Sequence, residues 1–167
     1  IENCLISNKN YYKFKLKLMK NFTLQLLFVA CSLFFIGNVS GQEWNISSES
    51  FNALGEITST VTIEGLTIYA EEGKAVTVDD NNKSLDGMDF TSRLKLGGSG
   101  SFGDDGMPTS RVLAFDVMGN TTITIMGMSS SSSADRELIV AVDSMNNELG
   151  RFPALGASIG KDEFNYV

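Results

Sequence analysis

Arg111 and Arg136 each stand immediately before an alternating apolar run, Val112 to Val117 and Glu137 to Asp143. A guanidinium offers paired N–H donors in a planar fork that matches a carboxylate, so arginines at strand ends suit recognition of an acidic sugar. The two runs are first and third in a series of three strands, the second being Thr121 to Met128, and are expected to point the same way. That places both arginines at one end of a sandwich. Their parity matches the inner face, where the competing role is to cap the core by pairing with carboxylates such as Asp135. Ser129 to Ser133, five serines with Ser131 at their centre, connects the second and third strands. Such hydroxyls can bond sugar hydroxyls or satisfy their own backbone. Arg93 and Lys95 alternate with Leu94 and Leu96, so leucines in the core would put both cations on the opposite face, as a uronate contact or as a solvated row.

Asp79, Asp80, Asn81, Asn82, Asp86 and Asp89 read as an oxygen-rich loop, and Asp104-Asp105-Gly106 as another. Ca²⁺ takes six to eight oxygens, which makes Asp79, Asp80, Asp86 and Asp89 candidate ligands, although the spacing departs from an EF-hand and ordinary turn formation explains the same residues. Gly97-Gly98-Ser99-Gly100-Ser101 lacks the Lys and Ser/Thr of a phosphate loop and reads as a flexible connection. Trp44, the one tryptophan, either stacks on a sugar ring or anchors the segment around it. The chain has no His. That removes the commonest general base, the commonest metal ligand and the Ser-His and Cys-His nucleophile pairs.

These residues need a scaffold, and the pattern predicts one. Short alternating runs recur between Gly, Asn, Asp and Ser, with two prolines and no sustained helical period, the mark of an all-β protein. The expectation is a jelly-roll-like antiparallel β-sandwich with strands at 60–63, 66–70, 75–78, 92–96, 112–117, 121–128, 137–143 and 150–154. Phe51 to Leu54 reads as a helical turn. Val112 to Met128 reads as the clearest hairpin, turning at Gly119-Asn120. Leu113, Phe115 and Val117 share its inner face with Ile123 and Ile125, and Leu138, Val140 and Val142 follow suit. Phe164 to Val167 looks like the opening of a further strand, so the domain is expected to lack its closing strand or strands.

Met19 to Gly41 reads as a secretory signal peptide: a basic start at Lys20, an apolar core over Leu24 to Ile36, and small residues at Val39 and Gly41. Residues 1–18 then read as spurious upstream translation, with a long basic n-region as the alternative. Cys31, inside the apolar core, makes a poor lipidation site. The domain at 42–167 is expected to be secreted, extracellular or periplasmic, and free of the membrane after cleavage. Both cysteines, Cys4 and Cys31, fall within residues 1–41, as do five Lys and one Glu. The remainder is therefore four charges more acidic than the whole chain's −7. Such a balance argues against nucleic acid as a partner.

Several blocks carry a resemblance: Trp44-Asn45 with Phe51-Asn52-Ala53-Leu54-Gly55, Gly65 to Ala70, Phe90 to Gly98, Arg111 to Val117, and Thr122-Ile123-Thr124-Ile125 leading to Ser129 through Leu138. Together they resemble a non-catalytic β-sandwich module that accompanies secreted pectate lyases and related polysaccharide-acting proteins of Bacteroidetes-type bacteria. The resemblance implies an accessory domain that binds cell-wall polysaccharide, pectin or oligogalacturonate among the candidates, and holds an attached catalytic domain near it; no cofactor is expected beyond the Ca²⁺ weighed above. It also implies a further strand or two after Tyr166, and it carries over no binding residues. Two alternatives stand beside it. One is a structural or adhesive domain without a glycan site; the other is a lyase, whose base, with Tyr69 and Tyr166 the only tyrosines after residue 41, would have to be a Lys, Arg or carboxylate in an unfamiliar arrangement.

Overall fold

The computed structural model describes residues 2–7, 41–142, 147–156 and 158–167, the first of these by its backbone path. The chain divides into two units, Ile1–Lys9 with Trp44–Val167, and Asn10–Glu43. All the described sheets belong to the first unit. The expected leader lies outside the described residues except for Gly41.

The fold is all-β, as the alternation predicts. A six-stranded sheet has the order β12-β11-β1-β9-β4-β3, from Asn147–Ala154, Arg136–Val142, Glu2–Ser7, Val112–Asp116, Leu66–Tyr69 and Val61–Ile63. Three smaller sheets accompany it. β2 (Glu56–Ile57) pairs with β5 (Val76–Leu85), which pairs with β6 (Met88–Lys95); β10 (Thr121–Gly127) pairs with β13 (Gly160–Tyr166); β7 (Ser101–Phe102) pairs with β8 (Pro108–Ser110). Every pairing is antiparallel except those of β1, which runs parallel to both β9 and β11.

Alternation along each strand builds one core. Leu66 and Ile68 of β4, Val76 and Val78 of β5, Ile123 of β10, Leu138 and Val140 of β11, Phe152 and Ala154 of β12 and Phe164 of β13 all fall in a single buried cluster, as period-two side chains on facing sheets must. The expected helical turn is α1 (Glu49–Asn52), which seats the fully buried Phe51 in that cluster. Trp44 anchors the segment before it. Its indole Nε1 donates to Glu64 O at 3.0 Å, and its ring meets Phe115 at 4.7 Å between centroids.

Two expectations need correction. The run Val112 to Met128 is not a hairpin: β9 pairs with β4 and β1, whereas β10 pairs with β13. Alternation decides which face is buried but not which strand lies alongside, and the exposed Met118-Gly119-Asn120 link carries the chain from one sheet to another. Asp79 to Asp89 is not a loop either. It is the body of the β5–β6 hairpin, which turns at Asp86-Gly87 with φ of 52° and 79°. That Asp-Gly pair meets the positive-φ demand of a two-residue turn, and Asn81-Asn82 opposite Thr91 form a bulge that absorbs the poor strand formers.

The layers interlock through two phenylalanines. A Cβ on Gly127 of β10 would lie 3.2 Å from the Phe152 ring of β12, and one on Gly150 of β12 would lie 2.8 Å from the Phe164 ring of β13. Gly150→Ala should therefore destabilise the protein by about 1–3 kcal/mol through overpacking. Chemical denaturation reads this as a lower midpoint with an unchanged slope, and unchanged stability would show that Phe164 has room to retreat.

Candidate functional site

The side chain that stands out is Arg111. It lies between β8 and β9 with φ of 57°, a left-handed conformation that non-glycine residues adopt at some cost. Its own N–H donates to Tyr69 O at 2.6 Å, which ties the strained residue to the end of β4. The guanidinium passes over bare backbone: a Cβ on Gly98 would lie 2.7 Å from its Nη1. Gly97-Gly98 is therefore the bed on which the arginine lies. Arg111 Nε is buried without a hydrogen-bond partner, and no carboxylate among the described residues comes within ion-pair distance of the fork.

Around it lies a small polar cluster that sequence reasoning missed. Glu71 and Lys74 pair at 2.8 Å across a short turn, and Lys74 Nζ donates to Ser101 Oγ at 3.1 Å. The hydrogen bond from Lys74 holds the Glu71 carboxyl below its usual value against an opposing desolvation, with Ser110 and the Lys74 and Arg111 charges adding to the lowering. Ser110 is fully buried. Its hydroxyl helps Glu71 through proximity but makes no hydrogen bond of good geometry. The signal available in the sequence was Glu71-Glu72-Gly73-Lys74, opposite charges flanking a glycine turn. Nothing in the spacing shows that this turn lies beside Arg111.

Arg136 begins β11 and is exposed, with no ion pair among the described residues. β9 and β11 both run parallel to β1, so the two arginines do emerge at one end of the six-stranded sheet, as expected. The expected inner-face capping by Asp135 is corrected: Asp135 Oδ1 accepts the Gly156 N–H at 2.8 Å instead. Parity carries Leu138 and Val140 inward, whereas Arg136, at the first position of β11 opposite Ala154, is exposed. Ser131 belongs to a self-satisfied loop, its N–H donating to Ser129 Oγ at 3.2 Å and its Oγ accepting from the Ser133 N–H at 3.3 Å. Gly156 presses against that loop so closely that a Cβ would lie 2.6 Å from Ser131 O.

Arg93 is not an available cation. It grips Asp79, its cross-strand neighbour, with Nε and Nη2 at 2.6 and 3.1 Å. Leu94 and Leu96 do pack with the core, as the alternation predicts. Lys95 stands opposite Thr77 on the same strand pair. The calcium candidates are dispersed: Asp79 is held by Arg93, Asp89 accepts from Ser84 Oγ at 2.6 Å, Asp86 at the hairpin tip faces Lys161 at 3.8 Å, and Asp80 lies exposed opposite Ser92. Among the described residues no three acidic or sulfur ligands converge. A shallow groove of about 470 Å³ beside this hairpin is lined by Asn82, Lys83, Ser84, Asp89, Phe90 and Thr91. Among the described residues no helix is long and apolar enough to cross a membrane.

Geometry thus leaves Arg111, with Lys74, Ser101 and Gly97-Gly98 around it and Arg136 at the same sheet end, as the candidate anion subsite. The Arg93–Asp79 pair is a structural clasp. Its hydrogen bond holds Asp79 below the ordinary carboxylate value, so its contribution is present above the unfolded carboxylate range and is lost as pH falls below about 4. Asp79→Asn should cost about 0.5–1 kcal/mol at neutral pH, given the partial exposure of the pair. Urea unfolding at pH 7 and pH 3 checks this: the gap between variant and parent should shrink at the lower pH. No family model matches this chain, and no curated protein matches it.

Proposed function

We propose that this sandwich is a secreted, non-catalytic module that binds acidic cell-wall polysaccharide through the Arg111 end and holds an attached polysaccharide-degrading enzyme near its substrate. The observation that carries the reading is the Arg111 fork itself. In a chain this acidic, Arg93 and Arg151 are both locked to carboxylates, while Arg111 is held in a strained backbone position with a buried, unpartnered Nε and no ion pair among the described residues, the nearby Glu71 being paired with Lys74. A uronate carboxylate is the charge-complementary ligand for such a fork, and the hydroxyl of Ser101 and the bare backbone at Gly98 suit a sugar ring alongside.

Arg136 serves this reading as a second, exposed contact, with the serine loop forming a rim. Lys95, Arg93 and Ser131 play supporting parts at most, because the last two already spend their hydrogen-bonding groups within the fold. Weak recognition suffices for the role, since tethering raises the effective concentration of the enzyme at an insoluble substrate. The resemblance to modules that accompany pectate lyases supports the same substrate class.

The test is retention of the folded protein on insoluble pectin, with cellulose as the neutral control, with and without Ca²⁺. Retention on pectin alone is expected. Arg111→Lys, which keeps the charge and loses the fork, should weaken oligogalacturonate binding by about tenfold, or about 1.4 kcal/mol. Arg136→Ala should weaken it by about threefold. Absence of retention by protein with intact circular dichroism would favour a structural or adhesive domain, and retention that requires Ca²⁺ would replace direct arginine contact with a bridging ion.

A further inference from the structure

Between β9 and β11 lies a slot one strand wide. The two walls run in the same direction and in step: Asn3 to Ile6 pair with Val112 to Phe115 on one side and with Ile139 to Val142 on the other. Two interstrand spacings, about 9.6 Å, separate the walls, which is too far for them to bond each other. Both walls are also part of the body's packed interior. Val112 and Val140 have no exposed surface, and Leu113, Phe115, Leu138 and Val140 belong to or pack on the core cluster.

Closing the slot would shift one wall by about 4.8 Å and pull its apolar row out of that core. Leaving it empty would strand two facing rows of backbone N–H and C=O groups. The slot therefore needs an occupant, and the one present is six residues long. Cys4 takes the register position level with Leu113 and Val140, and Ile6 the position level with Phe115 and Val142. This strand reaches the rest of its unit only through residues 8–43, so no tight turn dictates its insertion.

We propose that the slot is a strand-acceptor site, which takes a short extended peptide from a separate chain, parallel to β9 and β11 and apolar at the positions of Cys4 and Ile6. Main-chain bonds on both sides supply the affinity and the alternate apolar positions supply the selectivity, the general logic of strand addition. Cleavage after Gly41, as the leader reading expects, would sever Glu2–Ser7 from the body and leave its place to such a segment. The proposal does not rest on glycan binding.

The test uses the full chain carrying a protease site inserted after Gly41. It is cleaved in a large excess of fluorescent peptide matching residues 1–9, under reducing conditions, and then gel-filtered. Label should travel with the 42–167 portion, saturate, be displaced by unlabelled peptide, and fall by about tenfold with a Leu5→Pro peptide, which lacks one ladder N–H. No saturable label, whether the body stays folded or precipitates, would overturn the proposal, as would equal uptake of the Leu5→Pro peptide.

Discussion

The reciprocal seating of Phe152 on Gly127 and Phe164 on Gly150 is the contact on which the rest of the architecture rests. β10 and β13 form a sheet of only two strands, and such a pair is marginal in water unless an apolar face is packed against something larger. The phenylalanines supply that packing in both directions, each ring filling the space a side chain would occupy on the other layer. β12 carries one ring and one seat, so its register against β11 positions both. A slip by one residue would turn Gly150 and Phe152 to the opposite face together. The connection from β12 to β13 then brings Gly156 against Ser131 and Asp135, so the loop at the arginine end is shaped by the same interlock.

Availability of a basic side chain here is decided by what lies across the strand rather than by composition. Arg93 faces Asp79 in register and is consumed by it. Arg151 of β12 lies between Glu148, three residues earlier, and Glu137 on the neighbouring strand, and bonds both. These carboxylates raise the Arg151 pKa further above its already high value, with the Glu148 hydrogen bond the largest influence. Arg111 lies just before β9 and Arg136 opens β11 opposite Ala154, and neither forms an ion pair among the described residues. Position at a strand end therefore keeps a cation free in a protein rich in Asp and Glu.

Much of this was legible in the chain. The all-β class, the inward rows that begin on β9, β10 and β11, the helical turn that buries Phe51 and the common direction of β9 and β11 were all open to reading from residue pattern and from counting strands. Pairing partners did not follow, because alternation is silent on neighbours: Thr121 to Gly127 looks the same whether it returns on β9 or joins β13. The β5–β6 hairpin was hidden by its composition, since Asp and Asn disfavour strands while Val76, Val78 and the Asp86-Gly87 turn outweigh them. At the site, the arginines could be read from sequence, but the Glu71–Lys74 pair and the glycine bed could not. They meet Arg111 only through contacts between segments distant in the chain, which no local spacing encodes.

The outer strands of the six-stranded sheet give the fold a boundary. β3 has only three residues, and β12 carries an exposed Pro153 together with the charged Glu148 and Arg151. Short edges, proline and fixed charge all discourage another chain from pairing there. The sheet is thus blunted at both rims while its interior accommodates a strand of foreign direction, an arrangement that suppresses open-ended stacking. Growth by adding one sheet rim to another is therefore disfavoured, whatever strand the interior holds.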